Sequence, residues 1–322
     1  MLRLILAAAL VLCGITLALC PVHAAPTINV DGGVARTAKA VRAAVTKRDL
    51  DGHVWLGKLR GVGGGRDTLV FVPRTLDPTR TIDVVIYFEG IGSFDDAAMD
   101  HRHAASIARL RGNTVYVAPD APSSTHGIRA AKTPYWVAGC ADRRCAGGHA
   151  APGDFLVFLD EVRGHIARTT GQDRATLALQ HSLIGFSRGG KGVGNALDQL
   201  VAADFTAGGV PVRLADVIFA DGNYGEYVLA ETWRVLAARR EAPRLTILVA
   251  RGEFTRVGGD GNRRRALAFW RAAAPKAALP TADRPVSVER FRIVPLRGGH
   301  HAIGDAAVDF LPPPEVLVWT MS

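Results

Sequence analysis

The sequence predicts a doubly wound α/β fold: a mostly parallel sheet with helices on both faces. Two observations predict it. Short apolar runs rich in Val and Ile, the pattern of strands buried on both faces, alternate with longer stretches of helical period. The side chains with chemical potential, Ser187, Asp221 and His300 among them, fall just past the ends of such runs, where open α/β sheets bind their ligands. With 322 residues, 48% of them hydrophobic and 21% charged, and with no internal repeat or low-complexity segment, one large domain is expected over residues 25–322.

The first stretch stands apart from that domain. Met1-Leu2-Arg3 is a short positive start, Leu4 to Leu19 is an apolar run without charge, and Val22-His23-Ala24 is the small-residue pattern of a cleavage site. Residues 1–24 therefore read as a signal peptide cut near Ala24, which predicts a secreted or periplasmic protein with no stable membrane span. Loss of Arg3 lowers the net charge from +9 to +8. Basic residues are scattered, and the one tight run, Arg263-Arg264-Arg265, opens a helical stretch and suits a solvated face. Contact with anionic envelope polymers fits an exported protein better than nucleic acid, which is not expected as a partner. Cys13 and Cys20 leave with the leader, and an oxidising compartment favours a small disulfide loop between Cys140 and Cys145. A zinc site there would have His149 as third ligand and lack a fourth, so no metal is expected.

Past an N-terminal stretch of mixed character, His53–Leu59 and Asp67–Val72 alternate as strands do, and Gly61-Val62-Gly63-Gly64-Gly65 between them suits a hairpin turn. Thr81–Phe88 is a buried strand that stops at Glu89-Gly90-Ile91-Gly92. A helix over Ala97–Leu110 and a second buried strand over Thr114–Ala118 follow. On that helix, the alternate histidines of Asp100-His101-Arg102-His103 diverge and do not suggest a metal site. The stretch of about 119–149 has no periodicity and holds Tyr135-Trp136 and both mature cysteines; it reads as a lid-like, substrate-facing loop. Asp154–Ala167 is amphipathic and helical. Beyond Ser187 a glycine-rich helix runs to Leu200, and strands at Ala215–Ala220, Arg244–Ala250 and Val288–Pro295 alternate with helices near Val228–Arg240 and Arg263–Ala273.

The chemistry centres on Gly185-Phe186-Ser187-Arg188-Gly189, which follows the apolar run Ser182-Leu183-Ile184. A serine on a sharp strand-to-helix turn needs small residues two places before and two places after it, because a side chain there would collide with the neighbouring strand or the new helix. The turn exposes the hydroxyl, and the helix N-terminus behind it favours developing negative charge. A phosphate-binding loop is the competing motif, since Gly185 and Gly190-Lys191 have its spacing; that motif next needs Ser or Thr, and this chain has Gly192.

A serine hydroxyl needs a base within hydrogen-bond reach. His300 follows the last strand, and His301 is its rival, since adjacent side chains point different ways. For the acid that orients the base, Asp221 past the next strand is preferred to Glu253 past the one after, with Asp260 behind both. A carboxylate at any of these places also suits a turn or helix start. Backbone N–H groups of Arg188 and Ile91 are the candidate donors to a substrate oxyanion.

Through this elbow, Glu89-Gly90-Ile91-Gly92, and the order Ser187, Asp221, His300, the chain resembles the α/β-hydrolase fold serine hydrolases over nearly all of its mature length. The resemblance implies cleavage of a carboxylic ester, or of an amide in an amidase or peptidase, through an acyl-serine intermediate. It implies no metal or organic cofactor, and a small-molecule or polymer-linked substrate. Many members carry His-Gly where this chain has Glu89-Gly90; the glutamate either braces the loop or disfavours anionic substrates. The alternative is a non-catalytic cell-envelope binding protein on the same fold, with Asp221 and His300 misplaced relative to Ser187.

Overall fold

The strands that carry the site are short and almost continuously apolar, so they form the centre of a sheet covered on both faces. A computed structural model describes residues 27–30, 50–61, 67–90, 97–119, 154–187, 189–222, 230–250, 262–273, 276, 286–288 and 290–312. Its strands are β1 (Thr27–Val30), β2 (Gly52–Lys58), β3 (Asp67–Pro73), β4 (Ile82–Phe88), β5 (Thr114–Pro119), β6 (Leu179–Phe186), β7 (Thr206–Ala207), β8 (Val210–Pro211), β9 (Arg213–Ala220), β10 (Arg244–Ala250), β11 (Val286–Val288) and β12 (Phe291–Leu296). The helices are α1 (Ala97–Ile107), α2 (Asp154–Thr170), α3 (Gly189–Ala202), α4 (Ala230–Ala237), α5 (Asn262–Ala273) and α6 (His300–Ala306), the last followed by a 3-10 turn, Ala307–Phe310.

One ten-stranded sheet runs in the order β1-β2-β3-β5-β4-β6-β9-β10-β12-β11. Strands β5, β4, β6, β9, β10 and β12 are mutually parallel, while β3 pairs antiparallel with β2 and β5, and β11 antiparallel with β12. The mostly parallel, doubly wound sheet expected from the sequence is what forms. Alternation sorts the strand residues to two cores. Val84, Ile86, Phe88, Leu183, Val217, Phe219, Ile247 and Val249 pack with Phe158 of α2, Leu197 of α3, Trp233 of α4 and Trp270 of α5. Val85, Tyr87, Ile184, Phe186, Ile218 and Leu248 pack with Ala104 and Ile107 of α1 and Ile303 of α6. Among the described residues the helices thus divide four to one face and two to the other, and the two-helix face carries α1 and α6 side by side over the end of β6.

Three features differ from the sequence reading. The run expected as one strand over Val288–Pro295 is divided between two antiparallel strands, β11 and β12. His300 and His301 open a helix of their own, α6. The hairpin β7–β8 and strand β1, which pairs parallel with β2, carry no hydrophobic pattern long enough to read. The leader, the loop beyond Pro119, Cys140, Cys145, His149 and Tyr135-Trp136 lie outside the described residues. Among the described residues, no helix is long and apolar enough to cross a membrane.

Burial also fixes charge states. His103, His165 and His181 are buried, and desolvation lowers their pKa to about 3, about 4 and about 4. The neutral ring is the folded form, whereas an unfolded histidine titrates near 6.5, so protonation favours unfolding as pH falls from about 6.5 towards 4. His181 is a clean probe because its Nδ1 lies 3.2 Å from the Arg213 carbonyl, a bond that an Asn amide can also donate. We expect His181→Asn to remove this titration. Urea unfolding should show wild type losing about 1–2 kcal/mol relative to the variant between pH 7 and pH 5; parallel pH profiles would show that His181 does not titrate on unfolding.

Candidate active site

Strand β6 ends at Phe186 and α3 begins at Gly189, so the chain passes from strand to helix within two residues, the first of them Ser187. Ser187 has φ 52°, in the left-handed region that a non-glycine residue adopts only when its surroundings enforce it. They do so here. The Ser187 N–H donates to the Ala220 carbonyl at 3.1 Å, and the Ser187 carbonyl accepts from the Gly190 N–H at 3.1 Å. A Cβ on Gly185 would lie 2.7 Å from Gly190 Cα and 2.8 Å from Val193 Cγ2, and one on Gly189 would run into the Phe88 carbonyl. The two glycines are what let β6, α3 and the end of β4 close on one another. The same geometry disfavours a phosphate-binding loop. Gly185 belongs to the strand, paired with Phe88 and Phe219, and two residues are too few to wrap a phosphate.

The next strand supplies the carboxylate. The Asp221 N–H donates to the Leu248 carbonyl at 2.9 Å, and with φ 47° its backbone turns sharply off β9. Its Oδ2 lies 2.5 Å from His300 Nδ1. Asp221 is only 4% exposed, while about a third of the His300 side chain is open to solvent. A carboxylate accepting from Nδ1–H leaves Nε2 as the basic nitrogen of the neutral ring. His300 also lies against the Phe186 ring, with centroids 4.6 Å apart, which seats the imidazole on the residue immediately before Ser187. Ser187 itself is 8% exposed.

Adjacent His301 is held elsewhere. Its Nδ1 sits 3.1 Å from Nη2 of Arg102. A guanidinium only donates, so this nitrogen accepts. The sequence left His300 and His301 as rivals; the structure ties one to Asp221 and the other to Arg102.

Arg102, buried on α1, also reaches Glu89, with Nη1 3.1 Å from Oε2, and Asp305 of α6, with Nε 2.7 Å from Oδ1. Glu89 is the last side chain before Gly90, and the Gly90 N–H lies 3.3 Å from Oε2 of Glu89. Burial pushes the Glu89 carboxyl up to about 7, against the opposing pull of Arg102. Of the two roles the sequence allowed Glu89, bracing is the one that its hydrogen bonds support. Gly90 in turn abuts the serine: a Cβ there would lie 2.6 Å from Ser187 Cβ. Sequence reading passed over Arg102, because its stretch was weighed only as a metal motif. Among the described residues, no group of three His, Cys, Asp or Glu could hold a metal ion. Ile91, Arg188, Glu253 and Asp260 lie outside the described residues.

No protein-family model and no curated protein matches the chain. Among solved structures it is similar to a dienelactone hydrolase from Anabaena variabilis, at 12% identity over 80% of this chain and 92% of that one, with a TM-score of 0.40. It is also similar to an esterase of Pyrobaculum calidifontis, at 14% identity over 84% and 85% of the two chains, with a TM-score of 0.45. A third is poly(aspartic acid) hydrolase-1 from a Sphingomonas, at 14% identity over 81% and 99%, with a TM-score of 0.47. Identities this low leave substrate and reaction to the geometry of the site itself.

The elbow makes its own prediction. Gly189→Ala should destabilise the protein by about 1–3 kcal/mol, since the methyl group must displace the Phe88 backbone. Chemical denaturation measures this; an unchanged midpoint would show that the turn has room.

Proposed function

We propose that this chain, which has the α/β-hydrolase fold, is an exported serine hydrolase that cleaves a carboxylic ester. The observation that carries the reading is the 2.5 Å contact of Asp221 with His300, whose ring lies on the residue preceding the strained Ser187. Asp221 holds the imidazole in one tautomer and stabilises its charged form. Nε2 of His300 takes the Ser187 proton as the hydroxyl oxygen attacks the carbonyl carbon. The same proton then passes to the departing alkoxide, leaving an acyl-serine. Water repeats the sequence, with His300 again as base, and frees the acid. The backbone N–H groups of Ile91 and Arg188 are the proposed oxyanion donors, and the N-terminus of α3 behind Ser187 adds a favourable field. Amides meet the same groups with a poorer leaving group, so esters are the preferred substrates. Export follows from the leader-like residues 1–24, and with it the Cys140–Cys145 disulfide. The binding-protein alternative requires Asp221 and His300 to be misplaced relative to Ser187; the hold of Asp221 on His300, and the seat of that ring on Phe186 next to Ser187, speak against it.

A fluorophosphonate probe tests the reading: the purified protein should be labelled, and Ser187→Ala should remain folded and unlabelled. A folded wild type that resists labelling and hydrolyses no ester in a chain-length series would overturn it. The neighbouring histidines should separate clearly. His300→Ala should lower kcat by about 10⁴-fold or more, and His301→Ala by no more than about tenfold. A reversed order would move the base to His301.

A further inference from the structure

We infer that Arg102 is a positioning residue for this active site, fixing the Glu89-Gly90 turn, the serine elbow and the histidine helix relative to one another. The inference rests on the serine-hydrolase reading above. Each of the three parts hangs from a different strand or helix, and one guanidinium reaches all of them. Nη1 lies 3.1 Å from Glu89 Oε2 at the end of β4. Nε lies 2.7 Å from Asp305 Oδ1, and Nη2 3.1 Å from His301 Nδ1, both on α6. Cζ of the guanidinium sits over the Phe186 ring, 4.5 Å from its centroid, and His300 contacts the same ring on its own account. Nearby, the Tyr87 hydroxyl donates to the Gly304 carbonyl at 2.8 Å, a second tie between β4 and α6.

This is more than a surface ion pair. Arg102 and Glu89 are 6% and 2% exposed, so their contact is not screened as exposed pairs are. The three acceptors occupy different directions around one planar fork, which an ammonium on a flexible stem cannot reproduce. A register error between β4 and α6 would displace Gly90 from Ser187 or His300 from Asp221. Misplacements on the order of 1 Å cost as much as 10²-fold in rate. Arg102 touches no reacting atom in this scheme and acts through Glu89, Phe186 and α6.

Two variants test it. Arg102→Lys keeps a buried cation beside Glu89 but loses the fork; kcat should fall by about 10- to 100-fold with KM within about threefold. Asp305→Ala removes an acceptor that is half exposed, so folding should be spared, and kcat should fall by about 3- to 10-fold with little change in melting temperature. Fluorophosphonate labelling rates should fall in step with kcat. If Arg102→Lys does not fold, Asp305→Ala alone decides. Folded variants with wild-type kcat and labelling rate would overturn the role of Arg102, as would a loss confined to melting temperature. Failure of the wild type itself to label or turn over would instead overturn the underlying catalytic reading.

Discussion

Everything at this site depends on how closely three backbone segments approach at the carboxyl end of the sheet. The Phe88 carbonyl at the end of β4 occupies the space where a side chain on Gly189 would stand, and the first turn of α3 occupies the space beside Gly185. Interiors are packed to the density of organic crystals, so a single methyl group decides whether such an approach is possible. Because both positions lack one, β6 can reverse into α3 in two residues, and Ser187 is lifted off the strand rather than buried in its pleat. The glycines also carry a cost. The early turns of α3 hold Gly190, Gly192 and Gly194 as well, each about 1 kcal/mol less favourable than Ala in a helix, and burial of Leu197 and Leu200 offsets it.

Strain is distributed to match. Among the described non-glycine residues, Ser187, Asp204, Phe205 and Asp221 have positive φ. Two of the four are site residues, each directly after a strand, and their backbones are linked through the strand ends: Ser187 N–H to the Ala220 carbonyl, Asp221 N–H to that of Leu248. Asp204 and Phe205 form the turn between α3 and β7 and serve the chain reversal alone. Conformations of this kind cost about 1–3 kcal/mol each and persist where neighbouring strands over-determine them. Here the sheet supplies that determination.

What could be read in the sequence was whatever is local. The buried strands β4, β5, β6, β9 and β10 show as runs of Val, Ile and Leu, and the elbow shows because its requirement for glycine falls within five residues. Chain order narrows the acid to Asp221, preferred over Glu253 and Asp260, and the base to two adjacent histidines. His300 is preferred for its place after the last strand, but the contacts that distinguish the two are long-range, spanning 79 residues to Asp221 and 199 to Arg102. Strand β11 was hidden for a related reason. Its three residues have no period of their own, and only pairing with β12 defines them as a strand.

The buried charges follow the same division between local and long-range information. Alternation in β4, β6, β9 and β10 gives the two-helix face an apolar middle, yet its amino end carries Asp216, held by Arg244 through two bonds of 2.9 Å, and its carboxyl end carries Glu89, held by Arg102. Removing one partner of such a pair strands a charge in the interior, which costs far more than the pair contributes. Stability alone would favour hydrocarbon at both ends. At the amino end, Arg244 and Asp216 tie neighbouring strands whose register the backbone ladder already fixes. At the carboxyl end, Arg102 ties β4, α1 and α6, and no continuous ladder joins those three. The pair that secures geometry the backbone leaves open is therefore the one beside Ser187.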